Sequence, residues 1–282
     1  MLTRSSSRRL ALALFLLGAC STEPRAGATV PSPPDPSPDR VAVPRGGEPE
    51  VLPEPREVRF TTSDGVTISA TLSAAASPDA PAIVLVHQLG STRAEWGAIE
   101  RRLRAAPSLT TLAIDLRGHG ASTSGSEGTA LDWHSFDQAA WAATALDVRA
   151  AFAFLRSAES GVRPSRIGAI GASIGSTAVI AAAAEDAAID PLVVLSPGRA
   201  YHGFDAITPA MRLEGRHVLT AVAREEQDGV DTANAIGRIT TSQPILVDGS
   251  AHGVALLEAA PGLDVRIEEF VRSSLVAAGS AP

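Results

Sequence analysis

From residue 82 to residue 275 the chain alternates between short apolar runs and longer helix-forming stretches, and this alternation restricts the fold more than any other feature. Residues 82–87 (AIVLVH), 109–115, 166–171, 192–196, 217–223 and 244–247 read as strands, while 96–105, 135–156, 176–184 and 264–275 read as helices. The runs are apolar on consecutive rather than alternate residues, which fits strands buried on both faces of a parallel sheet covered by helices. Ahead of them, residues 57–62 and 66–72 flank Ser63-Asp64-Gly65, a hairpin with an Asp-Gly turn. The expectation is an α/β architecture, a mostly parallel sheet of about eight strands with helices on both faces. Within 135–156, Ser135-x-x-Gln138 predicts a capping box, and Phe136, Ala143, Leu146, Ala150 and Phe154 predict one side of the helix. Ligands of such sheets sit at the carboxyl ends of the strands, so the functional residues are expected there.

Composition removes much chemistry. All 24 basic residues are arginine, so no lysine is present to serve a P-loop, a Schiff base or a tethered carrier cofactor. Cys20 is the single cysteine, which excludes an intrachain disulfide and a thiolate zinc cage. A formal charge of −7 argues against a nucleic-acid partner. With 45% hydrophobic residues the chain can fill a substantial core.

The first 55 residues read differently. Arg4, Arg8 and Arg9 precede an apolar run from 10 to 17 that is too short to span a bilayer, followed by Gly18-Ala19-Cys20. Leu17-Gly18-Ala19-Cys20 resembles the lipobox of bacterial lipoproteins. That resemblance implies a signal peptide over 1–19, lipidation of Cys20 and a lipid-anchored place in the cell envelope. Ser21, where an aspartate is linked to inner-membrane retention, favours the outer membrane. The alternative is an ordinary cleaved signal with an incidental cysteine. Ten of the twenty prolines lie between Pro24 and Pro55, so 20–55 is expected to form a disordered, semi-extended tether ahead of a domain over 56–282.

Two segments carry chemistry. Gly171-Ala172-Ser173-Ile174-Gly175 is a G-x-S-x-G between an apolar strand and a helix-forming run. The pattern alone is weak, but a tight strand-to-helix turn requires neighbours without bulk and lifts a serine hydroxyl above the sheet edge. The alternatives are a glycine-rich packing turn or a phosphate loop, although Gly168, Gly171 and Gly175 do not match G-x-G-x-x-G. Of six histidines, only His252 follows the last strand, in a flexible loop; it is the candidate base, with His202 in reserve.

Together these residues resemble the α/β-hydrolase family. His87-Gln88-Leu89-Gly90 looks like that family's oxyanion segment after its third strand, with Gln88 where glycine is usual. Asp115-Leu116-Arg117-Gly118-His119-Gly120-Ala121-Ser122 looks like its D-x-R-G-x-G-x-S turn after the fourth. The resemblance implies that His87 and His119 are structural and that the amides of Leu89 and Ile174 receive an oxyanion. It also places the triad acid after strand 217–223. There, counting back from the next helix favours Glu226, whereas the family's usual aspartate and the following glycine favour Asp228.

The implied activity is serine hydrolysis of a carboxylic ester of modest size, with no cofactor or metal required. About twenty residues separate Ser196 from His217, too few for a large helical cap domain, which resembles the compact esterase and dienelactone-hydrolase-like branches. Dienelactone hydrolases proper carry a cysteine where this chain has Ser173. Two other readings stand beside this one: a binding or scaffolding lipoprotein without turnover, and an acyltransferase on the same triad.

Overall fold

The computed structural model describes residues 51–105 and 107–277, with the backbone alone for 276 and 277. The expected signal segment, Cys20 and the tether up to residue 50 lie outside the described residues. In chain order the elements are β1 (Arg56–Thr61), β2 (Thr67–Ser73), β3 (Ala82–Val86), α1 (Gly97–Leu103), β4 (Thr110–Ile114), α2 (Gln138–Ala142), α3 (Thr144–Arg156), β5 (Ile167–Ala172) and α4 (Ile174–Ala184). They continue with β6 (Ile189–Leu195), β7 (Ala200–Tyr201), β8 (Phe204–Asp205), α5 (Ile207–Ala210), β9 (Val218–Ala223), α6 (Gln227–Thr240), β10 (Ile245–Val247), α7 (Leu256–Ala259) and α8 (Leu263–Ala277).

Eight strands form one sheet in the order β1-β2-β4-β3-β5-β6-β9-β10. The β1–β2 and β2–β4 pairs are antiparallel, and every pair from β4 onward is parallel. The pleat sorts the apolar runs with a period of two. Val84, Val86, Leu112 and Leu192 face a layer built from Val148, Ala151 and Phe152 of α3, Val179 of α4 and Ile236 of α6. Ile83, Leu85, Ala113 and Val193 face Trp96 just before α1, Ile99 and Leu103 on one side of α1, and Ile267 and Val271 of α8. Both faces are thus covered, as consecutive apolar residues in the strands require. The chain reverses its direction of travel across the sheet between β3 and β5, whose last paired residues are Val86 and Gly171. The segments leaving these two strands lead to α1 and α4 on opposite faces of the sheet, the place where sheets of this kind bind their ligands.

One predicted helix needs correction. Residues 135–156 hold two helices, α2 and α3, meeting at Ala143. Asp137 is the N-cap, accepting the Ala140 amide at 2.8 Å, whereas the Ser135 hydroxyl donates to the Asp132 carbonyl. The buried residues of α3 are Thr144, Asp147, Val148, Ala151, Phe152, Phe154 and Leu155, so the predicted Phe154 is inside, whereas Ala143, Leu146 and Ala150 are only half-buried. The cause is Asp147, fully buried, which accepts the Arg117 amide at 2.9 Å and its Nε at 2.8 Å. The other end of the Arg117 guanidinium reaches Asp64 at 2.7 and 3.1 Å. One arginine therefore ties the β1–β2 turn, the turn after β4 and α3 together. Burial pushes the Asp147 carboxyl up to about 6, opposed by the Arg117 charge.

Between β6 and β9 the chain forms only the two-stranded β7–β8 ribbon, α5 and a 3-10 turn at Met211–Leu213. The ribbon is fastened to α2, where Gln138 Nε2 donates to the Gly203 carbonyl at 2.9 Å. No helix among the described residues is long and apolar enough to cross a membrane.

Candidate active site

Strand β5 ends at Ala172 and α4 starts at Ile174, so Ser173 alone turns the chain from one into the other. It does so at φ 52°, ψ −119°, a conformation L-residues rarely adopt. The two flanking glycines are required by main-chain proximity. A Cβ on Gly171 would lie 2.4 Å from the Gly175 carbonyl oxygen, and one on Gly175 would lie 2.4 Å from the Val86 oxygen. The turn is fixed further by the Ser173 amide donating to Leu195 O at 2.9 Å. Ser176 Oγ is close to both Gly171 O and Leu195 O, at 3.0 and 2.9 Å. Ile174 provides the first amide of α4, one of those a helix leaves without an internal acceptor. The positive end of the helix dipole lies at the same point.

The loop after β10 brings His252 over this turn, with Nε2 2.7 Å from Ser173 Oγ. Its Nδ1 is hydrogen-bonded to Oε1 of Glu226, the residue immediately before α6. A carboxylate only accepts, so Nδ1 carries the proton and Nε2 presents its lone pair to the serine hydroxyl. Ser173 is 6% exposed, whereas the His252 side chain is 41% exposed, which leaves the imidazole edge open to water and small molecules. Asp228 does not approach His252. It sits in the first turn of α6, and its Oδ2 accepts the Arg199 amide at 3.1 Å.

His87 is buried in an apolar setting, and burial lowers its pKa to about 4. It is therefore neutral: Nδ1 donates to Gln88 O at 2.7 Å and Nε2 accepts the Leu116 amide at 3.0 Å. His119 lies 4.9 Å away, ring to ring, and burial lowers its pKa too. The Gln88 amide donates to Glu95 Oε1 at 2.9 Å, and the Gly90 amide points to His119 Nε2 at 3.3 Å. Between them the Leu89 amide has no acceptor among the described residues. Burial raises the pKa of Glu95.

The remaining histidines are elsewhere. His202 stacks on Trp141 at 4.7 Å, His134 pairs with Asp132, and His217 meets Asp190 at the opposite, N-terminal end of β9. No group of His, Cys, Asp and Glu able to hold a metal occurs among the described residues.

Two residues at the site were not singled out from the sequence. Ser196 follows β6 at φ 48°; its Oγ donates to Glu226 Oε2 at 2.7 Å and accepts the Gly253 amide at 2.9 Å. Tyr201, the single tyrosine, donates its hydroxyl to Ser196 O at 2.9 Å, and its ring stands edge-on to His252. Burial pushes its phenol up to about 12, opposed by the Ser173 hydroxyl beside it. Ser196 could have been found from its place at a strand end beside Pro197-Gly198; the position of Tyr201 depends on the β7–β8 ribbon, too short to leave a pattern.

Residues 83–272 match the profile of the alpha/beta hydrolase family. The chain belongs to the α/β-hydrolase family. No curated protein is similar enough in sequence to count as a relative. Solved α/β-hydrolase structures with the same fold include an esterase of Pyrococcus furiosus, 18% identical with a TM-score of 0.60, the match covering 79% of this chain and 91% of that one. A dienelactone hydrolase of Anabaena variabilis is 17% identical with a TM-score of 0.56 over 80% of this chain and 99% of that one. The α/β hydrolase GrgF of a Penicillium species is 15% identical with a TM-score of 0.60 over 79% of this chain and 100% of that one. At such identities the likeness is one of fold. In this α/β hydrolase Ser173, His252 and Glu226 lie at the carboxyl ends of the strands in one hydrogen-bonded line.

Proposed function

We propose that the protein is a serine hydrolase cleaving carboxylic esters of modest size through an acyl-enzyme. The observation that carries this reading is the line from Glu226 through His252 to the Ser173 hydroxyl, ending at a strained strand-to-helix turn. Nε2 of His252 takes the Ser173 proton as Oγ attacks the ester carbonyl, and later returns it to the leaving alcohol. Glu226 holds the imidazole in that tautomer and stabilises the imidazolium. Asp228, bonded to the Arg199 amide, has no part in this reading. The amides of Leu89 and Ile174 receive the oxyanion, each worth about 3 kcal/mol in the transition state. Water then attacks the acyl-serine with His252 as base.

The test is fluorophosphonate labelling and p-nitrophenyl acetate hydrolysis with wild type beside Ser173→Ala. Labelling and turnover that both vanish in the variant support the hydrolase. A folded wild type with neither would overturn it in favour of a binding protein, and an added alcohol that outcompetes water would mark an acyltransferase.

We also propose that Cys20 carries a lipid that anchors the chain in the envelope, in the outer membrane. The support is the Leu17-Gly18-Ala19-Cys20 pattern and Ser21 after it. Metabolic labelling with an alkyne fatty acid should mark the full chain and not Cys20→Ala. Membrane fractionation should place the wild type with the outer membrane, and recovery with the inner one would refute that address.

A further inference from the structure

We propose that Gln88 and Ser196 form a two-point clamp on the loop that carries His252. This inference rests on the hydrolase reading for its meaning, but not for its test. The two amides that follow His252 are each held by a side chain from the end of a different strand. Gly253 donates to Ser196 Oγ at 2.9 Å, and Val254 donates to Gln88 Oε1 at 3.2 Å. The loop is shaped for the second contact. Gly253 has φ +59°, and a Cβ there would lie 1.8 Å from Gln88 Oε1, so its lack of a side chain is what admits the amide oxygen.

Gln88 reaches out from a fixed base. Its own amide is bonded to Glu95 Oε1, and its carbonyl accepts from His87 Nδ1 and from the Ser91 amide. The next residue, Leu89, offers the amide assigned above to the oxyanion. The Gln88 side chain therefore joins the strap carrying that donor to the loop carrying the base, so that the two hold one register. A glycine, usual at this position in the resemblance described above, has no side chain with which to do this. Ser196 completes the arrangement from the other side, because the hydroxyl that holds Gly253 also donates to Glu226. Both are positioning residues: they act through His252 and Glu226 and leave the reacting atoms to others.

The experiment uses the enzyme with three substitutions. Gln88→Met keeps the length and removes the acceptor, Gln88→Glu keeps an acceptor oxygen, and Ser196→Ala removes the hydroxyl. Amide hydrogen exchange of residues 252–255 is read in each, with p-nitrophenyl acetate kinetics and the NMR signal of the His252 Nδ1 proton alongside. Gln88→Met should speed exchange at Val254 by about tenfold and lower kcat by a similar factor with KM unchanged, as loss of one bond implies. Gln88→Glu should restore the slow exchange. Ser196→Ala should speed exchange at Gly253 and weaken the Nδ1 signal; if Gln88→Met does not fold, this variant decides. Wild-type exchange in the folded variants would overturn the clamp. Altered exchange in a protein that hydrolyses no ester would uphold the clamp while refuting the hydrolase reading.

Discussion

Glu226 and Asp228 stand two residues apart at the start of α6, yet their carboxylates serve different loops: Glu226 meets His252, and Asp228 holds the Arg199 amide. Glu226→Gln should lower kcat for p-nitrophenyl acetate on the order of 10³–10⁴-fold, because the imidazole loses the partner that sets its tautomer. Asp228→Asn should stay within about twofold of wild type. Steady-state kinetics of the two variants side by side check this, and equal losses would refute the assignment of the acid.

Gly175→Ala should destabilise the fold by about 2 kcal/mol, the scale of an inserted methyl group with nowhere to go. The new carbon would press on the carbonyls of Val86 and His87, at 2.4 and 2.5 Å, and push the segment that carries Leu89 away from α4. Urea unfolding measures the first effect, and a slower fluorophosphonate reaction of the folded fraction measures the second.

Removing one member of the Arg117–Asp147 pair is expected to cost about 3–5 kcal/mol, since the partner is left buried without its hydrogen bonds and must stay charged or, for Asp147, take up a proton. Arg117→Met leaves the buried Asp147 alone. The double variant Arg117→Met/Asp147→Leu should be more stable than Arg117→Met, and a double-mutant cycle by chemical denaturation gives the coupling directly.

His87 predicts how stability follows pH. Its pKa falls from 6.5 to about 4 on folding, because burial disfavours the imidazolium. The unfolded chain then binds the proton more readily, so stability is full above pH 6.5 and is lost as pH falls toward 4, by about 3 kcal/mol for this group. The lowered pKa of His119 acts in the same direction. The raised carboxyls of Asp147 and Glu95 act in the opposite direction over the same range, so the His87 part is read as a difference: between pH 6.5 and 4 His87→Gln should lose less stability, or gain more, than the wild type in unfolding free energies measured at several pH values.

The parts of this protein that were legible in the sequence are those where the main chain dictates residue type. The strands were readable as continuous apolar runs, and Gly171-x-Ser173-x-Gly175 because backbone contacts allow nothing larger at its glycines. Glu226 and Asp228 could not be separated beforehand, because which carboxylate meets His252 depends on α6 starting at Gln227, a shift of a single residue. Only Phe154 of the expected inner face of α3 is buried, because Asp147 turns inward to Arg117 and a hydrophobicity pattern places aspartate outside. Ser135 was mistaken for a cap because Asp137, two residues on, competes for the same role with a stronger acceptor.

The glycines at 171 and 175 bring backbone against backbone, and this has an evolutionary consequence. Main-chain contacts are indifferent to which apolar side chains fill the layers beneath them. Volume-conserving swaps at buried residues such as Ile170 and Val179 should change the melting temperature and leave the Ser173 turn in place. Laboratory repacking of this core should inherit the same freedom. The gauge that sets the Ser173 hydroxyl is two missing methyl groups, and a methyl at either position would move that hydroxyl.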